Sequence, residues 1–376
     1  MKIVIAPDKF KGVQTSREVA RNIAAGLRDV LPEAVIEIVP IADGGEGTAD
    51  VICEARGGLP RQCRAHDALG HPIETRYAWL KESGMAVIEM SEAAGMRRLA
   101  ANERNVDLAT TFGVGEMILD AAKHGAREIV VGLGGSATND GGLGLARALG
   151  FRFFGENDLE LKDGPAELAT LARIILPGAE AVARLRSGPQ LRVVAAADVR
   201  NPLLGENGAT RIFGPQKGAT GAQIEILEKA LTRLADVVTR DLGIDFRDEP
   251  GAGAAGGLGF GLLSFCGAIM RRGFEVVAEA VHLEAKIKGA DVVITGEGSL
   301  DRQTLDGKAP AEVATLARKF GRRVFAVVGR VDDSQAWRDL FDGVYAVAKT
   351  GVSDEENTRC APELLREGAR KLAREL

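Results

Sequence analysis

Carboxylates, lysines and glycines gather at a few places in this chain, each just after an apolar run. Asp8, Lys9 and Lys11 follow "KIVIAP"; Asp43, Gly44, Gly45 and Gly47 follow "IEIVPIA". Gly296, Glu297, Gly298, Ser299 and Asp301 follow "DVVIT", with Thr304 and Lys308 further along. A fourth place is "GLGGSATNDGG", residues 132–142, after the run "REIVV". Asp198 and Asn201 follow "RVVAAA", "FGPQKGAT" supplies Gln216 and Lys217, and "GAGAAGGLGFG" is a second glycine-rich loop. Phosphoryl transfer uses this inventory. Backbone amides and lysines hold phosphates, carboxylates hold Mg2+, and one carboxylate accepts a hydroxyl proton.

Other chemistries find less support. No G-x-x-x-x-G-K-[ST] loop, H-E-x-x-H or G-x-S-x-G occurs, so P-loop ATPase, metalloprotease and serine-hydrolase patterns are excluded. His66 and His71 flank a hairpin turn, and His124 sits beside Gly125 at a helix end, where it caps carbonyls. Gly132 to Ala137 matches the dinucleotide fingerprint G-x-G-x-x-A, with Glu156 placed for a ribose, which keeps a nicotinamide-dependent oxidoreductase open. Against it, Asn139, Asp140, Gly141 and Gly142 interrupt the start of the helix. The match at Gly251 to Gly256 follows "DEP" rather than a strand and fails its context.

In open parallel sheets ligands bind beyond the carboxyl ends of the strands, so the elements decide whether these loops can meet. "KIVIAP", "AVIEIVPIAD", "ADVVITGEG", "RRVFAVVGRV" and "GVYAVAKT" read as five parallel strands. Between the first two, Thr15 and Glu18 form a capping box, and Val19, Ile23, Leu27 and Val30 line one helical face. "EGTADVICEARGG" is a second helix ending at glycine, and "CAPELLREGARKLAREL" a last one. The middle differs. "RQCRAHDALGHPIETRYAWL" alternates around a turn and "MAVIEMSEA" follows, which predicts antiparallel strands. Thus residues 1–62 and 285–376 should form one α/β domain, with 63–284 inserted as a second, mixed α/β domain and the site in the cleft between them.

Length and composition agree with two domains: 376 residues, 45% apolar, 27% charged, with 47 clustered glycines. A net charge of −5 without like-charge blocks favours neither nucleic acid nor an acidic membrane surface. The four cysteines lack metal-ligand spacing and read as buried cytosolic thiols. The N-terminal apolar run is too short for a signal peptide, and residues 251–270 are too glycine-rich to span a membrane, so a cytoplasmic protein is expected.

"APDKFKG", "DGGEGT", "GLGGSATNDGG", "NPLLGENGA", "IFGPQKGA", "GAGAAGGLG" and "TGEGSLDRQTLDGK", in this order, closely resemble the type I glycerate kinase family from Lys2 to about Val347. The resemblance implies ATP-dependent phosphorylation of D-glycerate with Mg2+, mainly to 2-phosphoglycerate, in glycolate and glyoxylate metabolism. It also implies a doubly wound flavodoxin-like domain with an inserted domain of restriction-endonuclease-like core. Val13-Gln14, Arg200 and Ser299-Leu300 depart from the family's commoner residues, beside rather than on the acids and lysines. On this basis Asp198 is the first candidate for catalytic base and Asp8 the second, with Lys9 also catalytic. Lys11, Asp43, Gly44, Gly45, Lys217 and Lys308 are candidates for substrate, and Asp43 and Glu297 for Mg2+. Gly134, Gly135, Ser136, Thr138, Asn139 and Asp140 are candidates for the ATP phosphates. A monomer or homodimer binding only small molecules is expected; a non-catalytic glycerate sensor is the remaining alternative.

Overall fold

The computed structural model describes residues 1–162, 164–178, 191–301, 308–332 and 337–376, and its contacts divide the chain into two units. The first comprises Met1–Asp43 and Phe274–Leu376, the second Gly44–Gly273. The first unit is therefore assembled from both ends of the chain, and its first segment stops at Asp43, before the helix Thr48–Ala55. The reason lies in packing: the helix Thr48–Ala55 lies on the strands Pro72–Leu80 and Met85–Glu89, and so belongs to the second unit.

All five expected parallel strands of the first unit form. Along the sheet they run Gly343–Ala346, Arg323–Val328, Val292–Thr295, Lys2–Ile5 and Val35–Ile38, and every neighbouring pair is parallel. Numbered within the unit, the order is 2-1-3-4-5. Ile3, Ile5, Val292, Ile294, Phe325 and Val327 form one buried face with Val19, Ile23 and Leu27 of the helix Ser16–Arg28 and Leu365 and Leu372 of Asp354–Ala373. The alternate strand residues point the other way, where the helix Ala309–Lys319 covers the strands Val292–Thr295 and Arg323–Val328. The Thr15–Glu18 capping box is present. Gly26 is needed where the two long helices meet, since a Cβ there would lie 2.3 Å from the Arg366 carbonyl oxygen. Val30 lies past the end of its helix, and is half-buried.

In this strand order the chain leaves the first and third strands in opposite directions, which opens a crevice beyond their carboxyl ends. Pairing continues a little past both strands: the Asp8 amide donates to the Gly296 carbonyl (2.8 Å) and the Thr295 hydroxyl to the Ala6 carbonyl (2.7 Å). The loops bearing Asp8 and Glu297 are thereby fastened side by side.

The second unit is built on a mixed six-stranded sheet in the order Ile269–Arg271, Arg192–Ala196, Glu128–Gly132, Met85–Glu89, Pro72–Leu80, Leu59–His66. The predicted hairpin around Asp67–His71 forms its antiparallel edge, whereas Met85–Glu89 pairs antiparallel on one side and parallel on the other. Four mutually parallel strands thus end at Glu89, Gly132, Ala196 and Arg271. The helices Phe112–Lys123, Gly221–Leu242 and Ala254–Cys266 bury Met117, Leu231, Leu234, Phe260 and Leu262 in the unit's core.

Candidate active site

Sequence neighbours become spatial neighbours in the first unit. Asp8 is buried, and its carboxylate accepts the Lys9 amide at 2.7 Å. The Lys9 ammonium stands 3.7 Å from the Asp43 carboxylate. The Lys308 ammonium lies 3.2 Å from Asp301 and 3.9 Å from Glu297. Burial raises the Asp8 carboxyl to about 6, Asp43's charge adds to the rise, and the cations of Lys9 and Lys308 oppose it. The carboxyl ends of three strands, with the start of the helix Ala309–Lys319, thus bring Asp8, Lys9, Asp43, Glu297 and Lys308 together. Asp301 carries no role in the sequence reading, yet it holds Lys308; its signal was an acid seven residues from a lysine across a strand-to-helix connection. Thr304, quoted with them, lies outside the described residues. Lys11 lines a neighbouring groove instead.

Glycines are required here by close approach. A Cβ at Gly296 would lie 2.1 Å from the Val327 carbonyl oxygen, and one at Gly329 would lie 2.3 Å from that of Gly298.

In the second unit the loop 132–142 divides into an outer and an inner half. The outer half packs backbone on backbone against Gly44 and Gly45: a Cβ at Gly134 would lie 2.4 Å from the Gly45 α-carbon. Gly134 and Gly135 are half-buried and Ser136 is 6% exposed. The inner half is sealed. Asp140 is buried and accepts from the Thr111 amide (2.8 Å), the Thr111 hydroxyl (2.8 Å), and the amides of Gly142 (3.1 Å) and Gly144 (3.1 Å). Burial pushes its carboxyl up while those hydrogen bonds pull it down.

The expectation that the start of the next helix offers its amides to phosphate is not met. That helix, Leu143–Ala148, is short, and the chain's own carboxylate occupies its start. The dinucleotide alternative loses its support for the same reason, because its pyrophosphate would need those amides. Thr138 and Asn139 are fully buried: the Thr138 hydroxyl donates to the Ala255 carbonyl (3.4 Å), and the Asn139 amide donates to the Thr210 hydroxyl (3.0 Å). Among the described residues the Asn139 side-chain carbonyl finds no hydrogen-bond partner.

Lys217 lies beneath this half, 2% exposed, donating to the Thr138 carbonyl at 2.7 Å. It faces inward rather than toward a bound anion. Burial lowers its ammonium to about 7, and the charge of Asp140 only partly restores it. Because the folded-state value lies below that of the unfolded chain, the unfolded state binds more protons between the two. The stability of wild type relative to Lys217→Met should therefore rise with pH, by about 1 kcal/mol per unit between roughly pH 7 and 9. Urea titrations at several pH values measure the difference; a flat difference would contradict a neutralised lysine.

Asp198 belongs to the second unit, where its carboxylate lies 3.9 Å from Arg272. Glu89, absent from the sequence reading, is buried at a strand end and accepts the amides of Gly47 and Ala49 at 2.9 Å each. Burial raises its carboxyl to about 6. His124 caps its helix as expected, with Nδ1 2.7 Å from the Asp120 carbonyl oxygen. Among the described residues, no group of three or more His, Cys, Asp or Glu side chains is arranged to hold a metal ion. Among the described residues, no helix is long and apolar enough to cross a membrane.

The Glycerate kinase family model matches residues 3–376. The chain is 39% identical to a glycerate kinase of Bacillus subtilis (strain 168) over 375 residues, covering 99% of this chain and 97% of the relative. It is 40% identical to the glycerate 2-kinase of Escherichia coli (strain K12) over 361 residues, covering 94% and 93%. A crystal structure from Salmonella typhimurium LT2, assigned as a glycerate kinase 2, superposes with a TM-score of 0.86 at 40% identity, covering 100% of this chain and 98% of that one. With nearly its whole length matched in sequence and in fold, the chain belongs to the glycerate kinase family of enzymes.

Proposed function

We propose that this enzyme transfers the γ-phosphoryl group of ATP to a hydroxyl of D-glycerate. The observation that carries the site assignment is the buried Asp8 carboxyl between Lys9, Asp43 and Lys308 at the crevice of the parallel sheet. Asp8 takes the proton from the attacking hydroxyl as the oxygen–phosphorus bond forms and the bond to ADP breaks. A base works best with its pKa near the working pH, and a value of about 6 meets that condition. Asp8 is preferred over Asp198 because burial raises its carboxyl into the range a base needs. Lys9 and Lys308, held by Asp43 and by Asp301 and Glu297, present positive charge to the glycerate carboxylate and the γ-phosphate.

The donor set suits Mg2+, which binds through one or two carboxylates together with substrate phosphates rather than in an all-protein cage. Asp43 and Glu297 are the residues that would hold it. Mg2+ supplies neutralisation of phosphate charge when bound. In the second unit, the outer loop of Gly44, Gly45, Gly134, Gly135 and Ser136 is assigned to phosphate. Thr138, Asn139, Asp140 and Lys217 are assigned to shaping that loop from inside. The first unit's 2-1-3-4-5 strand order supports a flavodoxin-like description; a restriction-endonuclease-like core remains our reading for the second. Free cysteines and ATP use support a cytoplasmic setting.

Phosphorylation at the 2-hydroxyl is preferred, supported by the name of the E. coli relative. A coupled ADP-release assay comparing D-glycerate, glycolate, tartronate and hydroxypyruvate tests the reaction. ADP release stimulated by D-glycerate above the other acids is expected; none with any acid would refute it. Phosphorus NMR of the product then distinguishes 2- from 3-phosphoglycerate.

A further inference from the structure

Beside the acid–lysine cluster, and wholly within the first unit, lies a groove of about 400 Å³. It is large for a three-carbon acid and within the roughly 300–1,000 Å³ range of small-molecule sites. Two glycines, Gly298 and Gly329, line it, and a Cβ at Gly329 would lie 2.3 Å from the Gly298 carbonyl oxygen, so no side chain fits at Gly329. One wall is Phe10 and Val13, the other Val347, Ala361 and Leu364. Past these glycines, Ser299–Leu300 and Arg330–Val331 pair as a short parallel ribbon, so both strand-end loops contribute to its edge. The Asn357 side chain accepts the Lys349 amide (2.9 Å) and donates to its carbonyl (3.2 Å), fixing the turn that follows Val347.

We propose that this groove receives the purine nucleoside of ATP. The inference rests on the kinase reading above and extends it to the base. A purine has two flat apolar faces and a polar rim. The groove's lining is aliphatic and aromatic at Phe10, Val13, Val347, Ala361 and Leu364, and polar at Ser299, Thr358 and the ion-paired Arg330 and Asp354. The adjoining chain supplies the polarity of the other end. Phe10 and Lys11 follow Asp8 and Lys9 directly, and Gly298 follows Glu297, so the two loops that line the groove also build the acid–lysine cluster. A nucleoside seated here would direct its phosphates along those loops toward Lys11 and Lys9. Glycerate, small and anionic, has no use for the apolar walls.

Thr358→Trp is the test, because this residue is exposed on its helix and its replacement need not disturb the core. Its KM for ATP should rise at least about tenfold, with KM for D-glycerate within about twofold and kcat at saturating ATP within about threefold. Inhibition of wild type by adenosine, competitive with ATP, should weaken in the variant, while inhibition by inorganic tripolyphosphate persists. Val13→Trp repeats the test from the opposite wall. In wild type, adenosine should also slow amide hydrogen exchange in residues 354–364. Unchanged ATP KM in folded variants, or exchange in residues 354–364 unaffected by adenosine, overturns the proposal. Absence of ADP release by wild type with any acid would instead defeat the kinase reading itself, so the two failures are distinguishable.

Discussion

Asp8→Asn should lower kcat by about 10²-fold or more, with KM for ATP and for D-glycerate changing by only a few-fold. The side chain keeps its shape and its hydrogen bond from the Lys9 amide, so the loop should stay where it is. Only the capacity to accept a proton is removed. In wild type that capacity comes from burial, which raises the carboxyl, restrained by the two nearby lysines, which keep it from rising further. Steady-state kinetics of the purified variant, with circular dichroism to confirm folding, measure the outcome. Asp198→Asn is the paired comparison. Its carboxylate faces Arg272 in the second unit, and its loss should cost less. A larger loss at Asp198 than at Asp8 would return the proton-acceptor role to Asp198.

The second large effect is on stability. Asp140→Ala should destabilise the second unit by roughly 3 kcal/mol or more, because each buried donor left unpaired costs about 1–3 kcal/mol. Three backbone amides and the Thr111 hydroxyl lose their acceptor together. No polar replacement of similar size repairs this: asparagine offers one acceptor oxygen and brings an amide donor into a pocket already crowded with donors. Lys217 should respond as well. Asp140 is the charge that supports its ammonium, so the variant should titrate Lys217 lower than wild type, deepening the preference for a neutral amine. Urea unfolding followed by hydrogen exchange in residues 132–148 and 209–217 separates this local loss from any change in the first unit. A variant as stable as wild type would mean that water replaces the carboxylate.

Much of this protein was legible from local pattern. The five parallel strands, the Thr15–Glu18 cap and the antiparallel hairpin all follow from apolar runs, period-two alternation and capping residues, which act over a few residues. The grouping of Asp8, Asp43 and Glu297 was legible too, because the chain direction of a parallel sheet places successive strand ends on one edge. The unit boundary was not. Whether the helix Thr48–Ala55 belongs with the strands before it or after it depends on which sheet its Val51 and Ile52 cover. Those residues look the same in sequence either way.

The loop 132–142 marks the limit most clearly. Its composition alone fixed that the backbone must turn sharply and meet other backbone closely. Composition could not reveal that Asp140 would turn inward and saturate the helix start, or that Lys217 would be buried beneath Thr138 rather than facing an anion. A charged residue in a glycine-rich loop reads the same whether it serves a ligand or the chain's own amides. The choice is made by residues far away in sequence, here Thr111, Thr210 and Ala255, because burial and hydrogen-bond geometry exist only after distant segments have packed.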